Sequence, residues 1–215
     1  MNEHTAQRVC EQLGIDEREV VNIYPYGSRI YGCHTDESDH DYIIVFKRAI
    51  LESGSFKDNA ISSPDRTVQG TAYGRGGFQD AINNYMMPAM EAMSLDADQV
   101  IKGKWPFKVQ KWNEREMIKS VVKQASSSWH IAHRRWVIEH KAKTGDPTMF
   151  MDRIKKGIWH SLRILMFGMQ LRESGSVTDF TAANELHGTI LRDEDFSTKK
   201  YVPLRDEFTK VLKDG

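Results

Sequence analysis

Five consecutive apolar residues, Tyr42-Ile43-Ile44-Val45-Phe46, follow directly on Ser38-Asp39-His40-Asp41, and this junction constrains the fold of the chain more than any other feature. A strand alternates its side-chain direction every two residues, so Asp39 and Asp41 project from one face at the strand's start while His40 points the other way. Two carboxylates held that close make a site for a divalent cation. The competing reading is a solvated turn, because Asp, Ser and His crowd residues 35–40 and such side chains bond nearby backbone groups in turns.

The residues upstream favour the site. Val20, Val21, Ile23 and Tyr24 read as a strand that ends at Pro25 and Gly27, where a helical turn begins with Ser28 as its cap. Backbone N–H groups at such a turn bind an anion, and its positive end favours phosphate. A phosphate cradle and a carboxylate pair in one short stretch describe a single site that holds a nucleoside triphosphate through Mg²⁺ or Mn²⁺.

On these residues the chain resembles the DNA polymerase beta superfamily of nucleotidyltransferases, whose signature is Gly-Ser, a short spacer and Asp-x-Asp at the head of an apolar strand. The fuller string, Tyr26-Gly27-Ser28-Arg29 with Tyr31-Gly32 and then Ser38-Asp39-His40-Asp41, is similar to its branch of small bacterial and phage proteins, some of them associated with RNA ligases and RNA repair. Lys156-Gly157-Ile158-Trp159-His160-Ser161-Leu162-Arg163 looks like the Lys-x-x-x-His-x-x-Arg-Leu helix of that branch. The resemblance implies an α+β fold: a small mixed β-sheet nucleotidyltransferase core with flanking helices over residues 1–100, and a C-terminal helical lobe over 101–215 that closes over the nucleotide. It implies that Asp39 and Asp41 hold Mg²⁺, that Gly27 and Ser28 hold the terminal phosphates, and that Arg29 or Lys156 meets the charge building on the leaving group. Lys156, His160 and Arg163 recur at i, i+4 and i+7, along one helix face, and the resemblance sets that face beside the nucleotide. A solvated basic edge is the alternative.

Bulk properties exclude more than they specify. The chain has 215 residues, 40% hydrophobic and 28% charged, enough for one globular domain or two small ones. Its 30 basic and 30 acidic residues cancel, so any polynucleotide must be held by local features. With only Cys10 and Cys33, no apolar run of bilayer length and no targeting segment, the expected setting is cytoplasmic, with no membrane. Cys33 reads as a packing residue.

A first amphipathic helix spans Glu3 to Leu13, stopped by Gly14. Ala49 to Asp58 reads as a flexible loop and Asn59 to Arg66 as a turn. A third strand is expected from Arg66 to Tyr73 and a helix from Phe78 to Met93, hinged at Gly74-Arg75-Gly76-Gly77, where Arg75 is within reach of phosphate. The Met cluster at 86–93 reads as gap-filling core. In the superfamily a third carboxylate stands on a neighbouring strand, yet this strand offers Thr67, Gln69 and Thr71. Asp65 is the first candidate for the missing catalytic acid, followed by Glu91, with Asp80 also near in sequence.

Lys102 to Asn113 is basic and aromatic, with Lys102, Lys104, Trp105, Phe107, Lys108, Lys111 and Trp112. It admits two readings, a platform for single-stranded nucleic acid or a linker whose aromatics pack. The remainder reads as helices over Glu114–Lys143, with Met117, Val121, Ala125, Ile131, Ala132 and Trp136 as the apolar stripe, then Thr148–Glu173, Thr178–Ile190 and Pro203–Leu212, with a break at Thr144–Pro147. His130, His133, Arg134 and Arg135 lack the spacing of a zinc site. The expected activity is metal-dependent transfer of a nucleoside monophosphate from an NTP to a hydroxyl, foremost the 3′ end of single-stranded RNA or tRNA. Small-molecule or protein hydroxyls are alternatives, as is a non-catalytic NTP-binding protein with an incomplete carboxylate triad.

Overall fold

The computed structural model describes residues 5–48, 60–142 and 147–214, with side chains in 139–149 excepted. Expectations for residues 1–4, for the loop at 49–58 and for the break at 144–146 lie outside these. The fold is α+β. The chain divides into two compact units, Met1–Trp112 and Asn113–Gly215.

The first unit is built on a five-stranded mixed sheet in the order β3-β4-β2-β1-β5, with β1 Val20–Tyr26, β2 His40–Phe46, β3 Ala60–Ser62, β4 Val68–Gly74 and β5 Lys102–Gly103. β2 is central, antiparallel to β1 and parallel to β4. Its alternate residues enter two different cores. Tyr42 and Ile44 pack with Val9 and Cys10 of α1 (Ala6–Leu13), whereas Ile43 and Val45 pack with Phe78, Ala81 and Ile82 of α3 (Arg75–Asn83) and Ala89 and Ala92 of α4 (Met87–Met93). Both faces being covered, the strand reads as a continuous apolar run. α2 is the single turn Ser28–Tyr31 between β1 and β2.

Local chemistry sets several boundaries. Thr5 caps α1, its hydroxyl accepting from Arg8 N, and Gly14 ends it at φ 66°. The helix expected over 78–93 is instead α3 and α4, broken at Tyr85, which takes φ 53°. Pro88 sits in the first turn of α4, where its missing N–H costs nothing but where a continuous helix would lose a bond. β3 and β5 fall in segments that turn composition and basic charge had hidden.

The second unit holds α5 (Glu114–Ala142), α6 (Pro147–Ser174), α7 (Asn184–Arg192) and α8 (Val202–Asp214). α5 and α6 are antiparallel: a Cβ on Gly157 would meet Ala132, Ser161 Oγ donates to Ala125 O at 2.7 Å, and a Cβ on Gly168 would meet Val121. Met117, Val121, Ala125, Trp129 and Ala132 are the buried stripe of α5; Ile131 is exposed, a correction to the expected stripe, because it lies a quarter-turn from its neighbours. Residues 180–183 form a turn, entered where Asp179 Oδ1 accepts from Thr181 N and Oγ1, so α7 starts later than expected. Among the described residues no helix is long and apolar enough to cross a membrane.

Candidate functional site

The strand directions bring three chain segments to one end of the sheet. In register, Asp41 lies between Tyr26, at the end of β1, and Gln69, at the start of β4. Asp39 and Asp41 share the side of the sheet on which Ile43 and Val45 meet α3 and α4.

Gly27 is the N-cap of α2, at φ 79° and ψ −158°, a region open in practice only to glycine. The cap thus falls on Gly27 rather than on Ser28, which becomes the first residue of the turn. A Cβ on Gly27 would stand 2.9 Å from Asp41 Cβ and collide with the carboxylate. The turn therefore lies directly against Asp41, and the first N–H groups of a helix have no acceptor within it. Burial, and next the charge of Asp39, push the Asp41 carboxyl up to about 6. An oxygen-only donor set of this kind suits Mg²⁺ or Mn²⁺, and the close seat that only a glycine allows fits a cation placed between the pair and a phosphate.

Gln69 completes the cluster. Its Nε2 donates to Asp39 Oδ2, so an uncharged amide stands where an acid of the third strand would. Thirty residues separate the two in sequence, and the parallel register of β2 and β4, which sets Gln69 opposite Asp41, brings them together. Asp65 closes the β3–β4 turn, its Oδ1 accepting from Ser63 Oγ at 2.6 Å, Thr67 N at 3.1 Å and Thr67 Oγ1 at 2.9 Å. These bonds, that of Ser63 foremost, hold its carboxyl below the usual range. Glu91 is buried in α4, accepts from Tyr31 Oη at 2.6 Å and is raised well above a normal carboxyl by burial. This bond ties α2 to α4. Asp80 is exposed on α3.

Arg29 fastens the loop before β2: Nη2 donates to Ser38 O at 2.7 Å and Nε to Asp39 O at 3.3 Å. These bonds fix the backbone that carries Asp39, a positioning task distinct from the leaving-group contact expected for it.

In the second unit Lys156, His160 and Arg163 share a helical face but not an environment. Lys156 is exposed, whereas Arg163 is 1% exposed, its guanidinium 5.3 Å from the Trp159 ring centroid and 5.2 Å from that of Phe167, with Nη2 3.0 Å from His160 Nδ1. Burial lowers the His160 pKa to about 4, so the ring is neutral and accepts from Arg163. Three side chains expected to reach one ligand are therefore divided into one surface cation and one interior pair. His133 Nδ1 is 2.7 Å from Thr198 Oγ1, and no group of three or more metal-ligating side chains occurs among the described residues. No protein-family model matches the chain, and no curated protein does either.

Proposed function

We propose that the protein transfers a nucleoside monophosphate from an NTP to a hydroxyl, with the 3′ end of single-stranded RNA or tRNA as acceptor and pyrophosphate as leaving group. The observation that carries this reading is the Asp39 and Asp41 pair at the head of β2, pressed against a glycine-capped turn. A divalent cation on the pair supplies charge that neutralises and orients the triphosphate. Asp39 and Asp41 hold that charge in place, Gly27 and Ser28 receive the terminal phosphates through backbone N–H groups, and Arg29 keeps the Asp39 backbone fixed. The acceptor oxygen bonds to the α-phosphorus as the α–β bridging bond breaks, and the hydroxyl proton leaves to solvent. In a loose phosphoryl-transfer transition state positioning contributes more than proton removal, which makes an amide at Gln69 beside the pair tolerable.

The amide at Gln69 favours a second reading, an NTP-binding protein with slow or no transfer. Incubating the protein with each α-labelled NTP, Mg²⁺ or Mn²⁺ and a short single-stranded RNA separates them. Label on the RNA 3′ end, with pyrophosphate released and both lost in Asp39→Ala/Asp41→Ala, is expected. Metal-dependent NTP binding without pyrophosphate release would leave the second reading in its place.

A further inference from the structure

Residues 104–112 run alongside α3, fastened to it or its surroundings at every turn. Trp105 N donates to Asn22 Oδ1 at 3.0 Å, and Asn22 Nδ2 donates to Trp105 O at 3.1 Å. Gln79 Nε2 donates to Lys108 O at 2.8 Å, Tyr85 Oη donates to Lys111 O at 3.0 Å, and Phe107 is buried against Phe78 with ring centroids 4.9 Å apart. Contacts advance along α3 from Arg75 to Gln79 and on to Tyr85 just past its end, so the segment is a fixed ribbon parallel to the helix. Lys102, at its root, is already bonded to Glu17 Oε1 at 2.8 Å and Glu17 O at 2.9 Å.

What the ribbon displays is unusual for a packed linker. Trp105 is 44% and Trp112 39% exposed, although large aromatics are ordinarily well buried. Lys104 is exposed beside Trp105, Lys108 and Lys111 are exposed between the two tryptophans, and the Arg75 guanidinium lies 4.3 Å from the Trp105 ring centroid. The ribbon carries no acidic residue from 102 to 113. Two rigidly mounted aromatic faces with four cations interleaved match the chemistry of a single strand, whose unstacked bases need flat partners and whose phosphates recur along the chain. A duplex hides its base faces, and an acidic peptide has none.

We propose that this ribbon binds single-stranded nucleic acid, with bases on Trp105 and Trp112 and phosphates on Arg75, Lys104, Lys108 and Lys111. The binding is independent of metal and nucleotide; only its role in delivering the acceptor rests on the nucleotidyl-transfer reading. The test is fluorescence anisotropy of a labelled 12-nucleotide single-stranded RNA with full-length protein in EDTA and no NTP. Binding is expected, with quenching of tryptophan emission and a slope of roughly −2 to −3 in log K against log salt. Trp105→Ala/Trp112→Ala should weaken it about tenfold or more, and Lys104→Glu/Lys108→Glu, which alters exposed side chains alone, should weaken it at least as much and flatten the salt slope. Asp39→Ala/Asp41→Ala protein should bind RNA as the native chain does, so failure of the catalytic reading leaves this result intact. Absence of binding, equal affinity for duplex, unchanged affinity in the lysine variant, or binding to anionic vesicles in place of RNA would each overturn the proposal.

Discussion

Gln69 is the residue whose identity bears most on the chemistry. An amide bonded to Asp39 adds no charge to the pair, and two cations held 3.5–4 Å apart, on the usual order for two-metal sites, repel unless carboxylates neutralise them. Gln69→Glu should therefore tighten Mn²⁺ binding and add a second bound ion per chain, counted by calorimetry or electron paramagnetic resonance. An unchanged stoichiometry and affinity would remove Gln69 from the cation's surroundings. Asp39 and Asp41 were legible in the sequence because strand periodicity alone puts them on one face. Gln69 was visible as a missing acid but not as a partner of Asp39, since pairing across a parallel ladder depends on register that no local pattern encodes. The burial of Arg163 was not legible for a different reason. The 3.6-residue period assigns it and Lys156 to one stripe, while its burial follows from Trp159 and Phe167 one turn away on either side, a spacing that favours a guanidinium held between rings.

Among the elements, the α5 and α6 pair shows how close packing sets tolerance. A Cβ on Gly168 would lie 2.5 Å from Val121 Cγ1, so Gly168→Ala, which in an exposed helix gains about 1 kcal/mol, should here destabilise by about 1–3 kcal/mol through overpacking. Adding Val121→Ala should recover part of that loss; additive losses in urea denaturation would refute the contact. α6 also carries a pH response. Burial depresses the His160 pKa in the folded chain to about 4, below the usual value near 6.5. The unfolded chain thus takes up a proton first, and stability is lost as pH falls from about 6.5 to 4, by at most about 1.4 kcal/mol per pH unit from this group. His160→Asn should flatten the stability profile in that window, and an identical profile would exclude the ring as its source. The long helices were legible from their periodic stripes, Ile131 aside. The break at Tyr85 was not, because the apolar residues from Phe78 to Met93 keep helical spacing across it and only Pro88 marks the interruption.

At the scale of the whole molecule, equal numbers of acidic and basic residues leave no long-range field, so recognition of a polyanion falls to local arrays such as the ribbon at 104–112. The α+β character was legible in the change from short apolar runs to long helical stripes. The order of the strands was not, since β3 and β5 are too short and too polar to announce themselves. That order has a practical consequence. β1 ends, and β2 and β4 begin, at the end of the sheet that carries Asp41 and Gln69, whereas Val20 opens β1 and Phe46 and Gly74 close β2 and β4 at the opposite end. Val20, Phe46 and Gly74 thus lie a full strand length away from Asp41. A fluorescent reporter or affinity handle attached at Arg48, exposed just past the end of β2, should leave cation and NTP affinity unchanged in a titration, whereas the same handle inserted between Gly32 and Ser38 should abolish both. The strand directions thereby divide this small sheet into an end for chemistry and an end for engineering.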